Sequence, residues 1–217
     1  MSATLFDLIQ RGELDALRRV LAANPQTADV KQEGSGLGAL MFALYHRRFD
    51  AAEIIRAART PLDWGEACAI GDLTRLELLI EGDPRIVIAR TADGFAALHL
   101  CCFFRRAKLV TLLLAHGAEV DALAANPTQL RPVHSATAGR DLETVRAVLA
   151  GHPDVNARQI RGFVALHSAA LSGDLEIAEA LLRAGADRDL RADDGKSALD
   201  FAREGKHQEL VRLLERA

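Results

Sequence analysis

Three histidines, His99, His134 and His167, recur at intervals of 35 and 33 residues and suggest a metal site. Imidazole is the commonest metal ligand in proteins. If the interval is a structural repeat, however, equivalent residues on stacked helices lie about 8–10 Å apart. Two ligands of one zinc ion, each about 2.0–2.1 Å from the metal, cannot be much more than about 4 Å apart. We therefore expect these imidazoles to bond the backbone of neighbouring loops and to hold no metal.

A cysteine nucleophile is the second chemical possibility. His99 and Cys102 are three residues apart, on one face of a helix, and His116 could approach from the same unit. Cys101 and Cys102 occupy positions that favour small buried residues, so we interpret them as packing residues. With Cys68 they make an odd number of cysteines, which indicates reduced thiols and no disulfide framework.

No familiar catalytic motif is present. The sequence contains no glycine-rich phosphate loop, G-x-S-x-G elbow, H-E-x-x-H or paired C-x-x-C. One catalytic arrangement stays open, with His46 or His134 as a base and Arg105 or Arg140 holding an anion. A closed pocket that a histidine enters would favour it over an open surface. We predict that the chain is not an enzyme and needs no cofactor.

The elements that position these residues come from a repeat of about 33 residues. The segment 93–121 returns in recognisable form at 161–189. Within the first copy, 96–104 and 107–116 show helical patterns, and Gly117 follows the second helix where a left-handed residue is needed. An Asp-Gly pair supplies a turn before the next helix pair. Each unit is therefore predicted as two antiparallel helices and a projecting hairpin-like loop.

This pattern resembles the ankyrin repeat, which runs G-x-T-P-L-H-x-A-A, then a leucine-rich helix, then G-A-D-V-N. The resemblance covers nearly the whole chain. Its strongest carriers are G-F-A-A-L-H-L-C-C at 94–102, R-P-V-H-S-A at 131–136, G-F-V-A-L-H-S-A-A at 162–170 and G-K-S-A-L-D-F-A at 195–202. It implies an all-α ankyrin-repeat solenoid of antiparallel helix pairs with projecting β-hairpin-like loops. Such stacks usually bind partners and do not catalyse.

We divide residues 1–217 into one ankyrin-repeat domain of seven units, with caps at both ends. The predicted units are 2–33, 34–60, 61–90, 91–124, 125–158, 159–191 and 192–217. Equivalent positions are assigned to Phe6, Met41, Gly65, His99, His134, His167 and Asp200.

One interval, from Met41 to Gly65, is about ten residues short. It leaves no room for a projecting loop, so we expect the row of loops to be interrupted there. Thr60-Pro61 and the single tryptophan, Trp64, occupy the junction. We interpret Trp64 as a plug over an exposed end of the helix stack, with a binding role as the alternative.

Composition excludes several classes of function. The formal net charge of -3 argues against a nucleic-acid-binding protein. No apolar stretch approaches the roughly 20 residues that span a membrane, and the first residues do not form a signal peptide. We expect a cytoplasmic protein without nucleic-acid or membrane partners, and a monomer more often than an oligomer.

The resemblance implies that partners meet the loop tips and the exposed ends of the first helices. Large apolar residues and arginines occupy these positions, and both are typical of interface hot spots. Phe95 and Phe163 could instead fold onto adjacent loops, and Phe103 could pack between repeats. The candidate contact residues are Tyr45, His46, Arg47, Ile70, Phe95, Phe103, Phe104, Arg105, Arg140, Ile160, Arg161, Phe163 and Leu171.

Three of these residues, Arg47, Arg105 and Arg140, take the position between the two helices where the family prefers glycine. Their recurrence predicts a ladder of arginines that could follow acidic side chains along a partner. The alternative is a solvated turn whose arginines pair with Asp141 or Asp50.

The leading hypothesis is a non-enzymatic module that binds a protein segment, apolar in its centre and acidic at its edges, on the concave face between Tyr45 and Leu171. Two alternatives stay open. The groove could bind or transform a small molecule with its histidines and arginines, or the apolar strip could mediate self-association.

Overall fold

A computed structural model describes residues 4–59 and 61–215 of the 217-residue chain. These residues form fourteen α-helices and three short 3-10 helices, at Pro25–Asp29, Pro84–Ile88 and Ile160–Gly162. The α-helices are α1 (Leu5–Arg11), α2 (Leu14–Ala23), α3 (Ala39–Tyr45), α4 (Phe49–Ala58), α5 (Trp64–Ile70), α6 (Leu73–Gly82), α7 (Ala97–Phe103), α8 (Ala107–Ala115), α9 (Pro132–Gly139), α10 (Leu142–Leu149), α11 (Ala165–Ser172), α12 (Leu175–Arg183), α13 (Ala198–Glu204) and α14 (Gln208–Glu215).

The helices pair in chain order and stack into a solenoid. The odd-numbered helices pack one on the next from α1 to α13, and α8, α10, α12 and α14 do the same in the second row. Small residues such as Ala136 and Ala169 are fully buried in the first row and allow this close approach. The all-helical repeat architecture is therefore confirmed. We call the face formed by the odd-numbered helices and the projecting loops the concave face.

The start of each first helix corrects two of the assigned repeat positions. The third helical residue is Met41, His99, His134, His167 or Asp200 in five units, as expected, but Asp7 in α1 and Glu66 in α5. The assignments to Phe6 and Gly65 were wrong by one residue. The reason is a capping box, in which the third residue accepts the backbone N–H of Thr4 at 2.9 Å or of Asp63 at 3.0 Å.

Some first helices lack the side-chain cap that others have. Ser197 caps α13 by accepting the backbone N–H of Asp200 at 3.3 Å, whereas Val164 begins α11 without a side-chain acceptor. Val164→Thr is expected to raise the free energy of unfolding by about 1 kcal/mol, because a threonine oxygen can accept the N–H of His167. A urea titration measures this. Ser197→Ala is the converse control, and a midpoint that Val164→Thr leaves unchanged or lowers would contradict the proposed cap.

The projecting loops, here called fingers and numbered by unit, are joined by backbone hydrogen bonds in the second half of the chain. Finger 4 (90–96) accepts a bond from finger 5 (124–130), between Ala125 N–H and Gly94 O at 2.8 Å. Finger 5 is joined to finger 6 (159–163), and finger 6 to finger 7 (191–197), by one bond each at 3.0 Å. The fingers therefore form a continuous row from unit 4 onwards.

Among the described residues, the third unit has no finger. The described part of the junction runs from the end of α4 at Ala58 to the start of α5 at Trp64 and includes Pro61, while Thr60 lies outside the described residues. Finger 2 (31–38) consequently approaches finger 4 directly, since a Cβ added to Gly36 would lie 3.3 Å from Cβ of Ala92. Trp64 is half-buried against the core, and its role as a plug stays a prediction.

No helix among the described residues combines the length and apolar character that crossing a bilayer requires.

Candidate functional site

Three aromatic rings gather on the concave face where α3 and α7 end. The ring of Tyr45 lies 6.0 Å from that of Phe103 and 5.4 Å from that of Phe104, and the last two are 5.2 Å apart. Helix α5 lies between α3 and α7 in the stack, but small residues such as Cys68 and Ala69 allow Tyr45 to reach across it. Burial, and then the charge of Asp93, raise the pKa of the Tyr45 phenol, so this hydroxyl stays protonated.

Two cavities meet at this cluster and share Tyr45, Phe103 and Ala138 as a common wall. The first, of about 520 Å³, is here called the cationic cleft. It is lined by Leu40, Leu44, Tyr45, Arg47, Phe49, Ala52, Glu53, Arg56, Ile70, Phe103, Phe104, Arg105, Arg106, Ala138 and Gly139. The second, of about 230 Å³, is here called the apolar pocket. It is lined by Tyr45, Phe95, His99, Leu100, Phe103, Leu130, His134, Ser135 and Ala138.

The arginines between the two helices of a unit have left-handed backbones. Arg47, Arg105 and Arg140 have φ of 57°, 62° and 57°, a conformation that glycine adopts at the same turn in units with Gly12 or Gly71. A residue with a Cβ pays about 1–2 kcal/mol for this conformation. The backbone conformation of the turn does not account for arginine at these positions, so the arginine side chains are candidates for a functional role.

The three arginines differ in their partners. Arg140 forms a two-pronged ion pair with Asp174 of the next unit, at 2.9 and 2.8 Å. The side chains of Arg47 and Arg105 make no hydrogen bond or ion pair to any part of the described chain. The predicted ladder therefore has two free members, and its third member pairs with Asp174 and not with Asp141. Asp141 instead caps α10 through the N–H of Thr144 at 2.9 Å.

The arginines that follow these turns are structural. Arg106 donates from Nε and Nη2 to the carbonyl oxygen of Ala69, at 3.0 and 2.9 Å. Arg48 donates in the same way to the carbonyl of Gln10. Both carbonyls lie in the last turn of the preceding unit's first helix, where no helical N–H is available to them. These side chains therefore join adjacent units.

The repeated histidines bond the backbone of the neighbouring loops, as expected. Their Nε2 atoms lie 3.1 Å from the carbonyl of Leu130 for His99, 2.9 Å from that of Ala157 for His134, and 2.8 Å from that of Leu190 for His167. Burial lowers the pKa of His99 to about 4 and lowers that of the other two imidazoles as well. In residues 4–59 and 61–215, no group of three or more His, Cys, Asp or Glu residues is placed to hold a metal ion.

The geometry offers little support for a histidine base. His134 lines the apolar pocket, but its second nitrogen accepts the backbone N–H of Arg131 at 3.0 Å, so both nitrogens are occupied. His46 packs against Phe42 with ring centres 4.2 Å apart and lines neither cavity. Cys101 and Cys102 are fully buried, and burial raises the pKa of both thiols, which keeps them protonated and unreactive.

The other predicted contact residues lie outside the aromatic cluster or pack inward. Phe163 packs against His167 and Phe201, with ring centres 5.6 and 5.1 Å away. Phe95 packs on His99 at 5.7 Å but also lines the apolar pocket. Exposed residues on finger 6 and α11 complete the set: Ile160, Arg161 and Leu171.

Several residues that line the cationic cleft are not among the candidates named from the sequence, and Phe49 and Arg56 are two of them. Phe49, at the start of α4, is 57% exposed, and Arg56 lies two turns further along the same helix. The repeat pattern directs attention to the ends of first helices, whereas both residues belong to a second helix. An aromatic residue directly after the Arg47-Arg48 turn was the available signal.

Comparison with known families and proteins gives two kinds of match. A family model described as Ankyrin repeats (3 copies) matches residues 133–216, and one described as Ankyrin repeat matches residues 93–125. Over 130 residues the chain is 26% identical to the Target of rapamycin complex 2 subunit AVO2 of Saccharomyces cerevisiae. This match covers 55% of the chain and 30% of the yeast protein, so the chain corresponds to less than a third of that relative.

Proposed function

The chain belongs to the ankyrin repeat family, and from this premise we propose that it is a non-enzymatic module that binds a protein segment on its concave face. The family indicates protein interaction in general. The position of the binding surface is our proposal. The yeast relative is named as a subunit of a complex, which is compatible with a role in assembly.

One observation carries the proposal: an aromatic cluster open to solvent beside arginines without partners. Phe103 is 42% exposed, and with Tyr45 and Phe104 it forms a wall of the cationic cleft. Arg47 and Arg105 line the same cleft. Aromatic and arginine side chains are enriched among residues that dominate binding energy. A partner with apolar groups in its centre and carboxylates at its edges would match this surface.

The proposal includes a reducing compartment, the cytoplasm. Its support is that Cys68, Cys101 and Cys102 are all free thiols in the structure.

Peptide selection tests the function. The protein is immobilised and used to select binders from a display library of random linear peptides, and the best peptide is titrated by fluorescence anisotropy. Phe104→Ala and Arg105→Glu are each expected to weaken its binding at least about tenfold, because replacing a hot-spot side chain costs about 2 kcal/mol or more and tenfold corresponds to about 1.4 kcal/mol. Circular dichroism melts verify that both variants fold.

The matched controls lie on the second helices, away from both cavities. Leu78→Ala on α6 removes an exposed apolar side chain, and Arg146→Glu on α10 reverses an exposed charge. Neither should change the affinity. If Phe104→Ala and Arg105→Glu leave binding intact in folded protein, or if no peptide is enriched, the proposed binding surface is wrong.

A further inference from the structure

We propose that the recognised segment is acidic, carries one large apolar anchor residue, and contacts only the N-terminal half of the concave face, up to Ala138. This inference rests on the proposed function and makes it narrower. It names the chemistry of the partner and divides the candidate contact residues into a half that binds and a half that does not.

The apolar pocket is suited to the anchor. Phe95, Phe103 and Leu130 supply apolar walls, and both histidines that line the pocket bond the protein backbone. His134 bonds the backbone through both nitrogens, and His99 bonds the Leu130 carbonyl. Because burial lowers the pKa of both imidazoles, they are uncharged near neutral pH. A pocket of this kind takes an apolar side chain.

The adjoining cleft is suited to carboxylates. Four arginines and one glutamate line the cationic cleft, which gives its lining a formal charge of +3. Arg106 is bound to the Ala69 carbonyl, and Arg56 lies 3.7 Å from Glu53. Arg47 and Arg105 remain as cations whose charge no described side chain offsets by an ion pair. Since forked guanidinium groups favour carboxylates, charge complementarity selects an acidic partner.

The spacing of the two arginines favours separate carboxylates over one doubly charged phosphate. They lie at turns two units apart, which corresponds to about 16–20 Å at the packing distance of stacked helices. An extended chain covers this distance in about five or six residues. The apolar pocket is lined by Phe103, which lies at the same end of α7 as Arg105. The anchor residue of the partner should therefore be next in sequence to the acidic residue that meets Arg105.

Contacts across the third unit distinguish this half. Tyr45 of the second unit meets rings of the fourth unit, so the two cavities have one unbroken wall. In the C-terminal half three exposed cations form ion pairs: Arg140 with Asp174 at 2.8 Å, Lys196 with Glu204 at 2.8 Å and Arg203 with Glu215 at 2.7 Å.

The first experiment compares the two halves. The probe is an anchor-bearing acidic peptide from the display library, and affinities of the full-length protein are measured at one salt concentration. Arg47→Glu and Arg105→Glu are each expected to weaken binding at least about tenfold. Arg140→Glu and Leu171→Ala, at matching positions of the other half, are expected to change the affinity by less than about twofold. Enriched peptides without acidic residues would overturn the inference.

Charge exchange provides the second experiment. Each acidic residue of the peptide is replaced in turn by lysine. The peptide in which lysine replaces the residue that meets Arg105 should bind Arg105→Glu better than it binds the unaltered protein, because the lysine can pair with the new glutamate. A phosphorylated version of the peptide serves as the competing ligand. If it binds at least about tenfold tighter than the carboxylate peptide, a phosphate partner replaces the one proposed.

The outcomes separate the two proposals. If Arg140→Glu and Leu171→Ala weaken binding as strongly as Arg47→Glu and Arg105→Glu, the concave face binds but the restriction to one half is wrong. If none of the four variants affects binding, the concave face itself is not the site and the proposed function fails.

Discussion

Leu166→Ala is expected to lower the free energy of unfolding by about 2–5 kcal/mol. Leu166 lies in α11 with none of its surface exposed, and α11 packs on α9, α12 and α13. Truncation removes buried methyl groups and leaves a cavity whose walls cannot collapse, because the surrounding helices are held by their own neighbours. Urea titration monitored by circular dichroism measures the loss.

Leu171→Ala, five residues later, is the matched control for this measurement. Leu171 is 52% exposed at the end of the same helix. Its truncation should change the free energy of unfolding by no more than about 0.5 kcal/mol. A loss of this small size for Leu166→Ala would show that the assigned register of the repeat is incorrect.

As the pH rises, the free energy of unfolding of Glu66→Gln is expected to increase relative to that of the unaltered protein. The increase should total about 3 kcal/mol from pH 4.5 to just above pH 7. Glu66 is 1% exposed, and burial is the main cause that raises its pKa from 4.5 to about 7. The nearby charge of Asp63 raises the pKa further, and Arg59 partly offsets both effects.

The sign follows from proton binding. Between pH 4.5 and 7 the folded protein holds a proton on Glu66 that the unfolded chain has released, so raising the pH costs the folded state free energy. Glutamine carries no such proton and removes this dependence. The buried histidines, whose pKa values are lowered, act in the opposite direction over part of the same range. The measured quantity must therefore be the difference between variant and unaltered protein, from urea titrations at several pH values.

Asp200→Asn gives a control of opposite sign. Hydrogen bonds from Ser197 lower the pKa of Asp200, so its ionised form favours the folded state above its ordinary pKa of 3.8. The asparagine variant should therefore lose stability as the pH rises through the acid range. If the difference for Glu66→Gln is the same at every pH, Glu66 does not titrate as its burial requires.

Much of the fold was predictable because the same sequence signals recur at equivalent positions in several units. Gly117 and Gly185 mark helix ends, and His99, His134 and His167 mark the same position in three units. The helix pairs and the histidine bonds to loop backbone could therefore be predicted. In degenerate units the signal is weaker. There the third helical residue is a carboxylate, and only the capping geometry distinguishes Glu66 from Gly65.

The candidate site was less predictable because it depends on contacts between units. Arg47, Arg105 and Arg140 occupy one repeat position, yet Arg140 is bound by Asp174 and the side chain of Arg105 has no ion-pair partner. That difference arises from how the next unit presents its side chains. The contact of Tyr45 with Phe103 depends on the small residues of the helix between them, whose effect on distance the repeat pattern does not convey.

The left-handed turns have a consequence for the entropy of binding. Arg105 is held by the helices on both sides of its turn, so its backbone has already lost its conformational freedom when the protein folds. A partner has only the rotamers of the guanidinium arm left to restrict, at about 1.5–2 kcal/mol for a long side chain, and no backbone to order. The conformational cost of presenting a cation to the partner is thus transferred from association to folding.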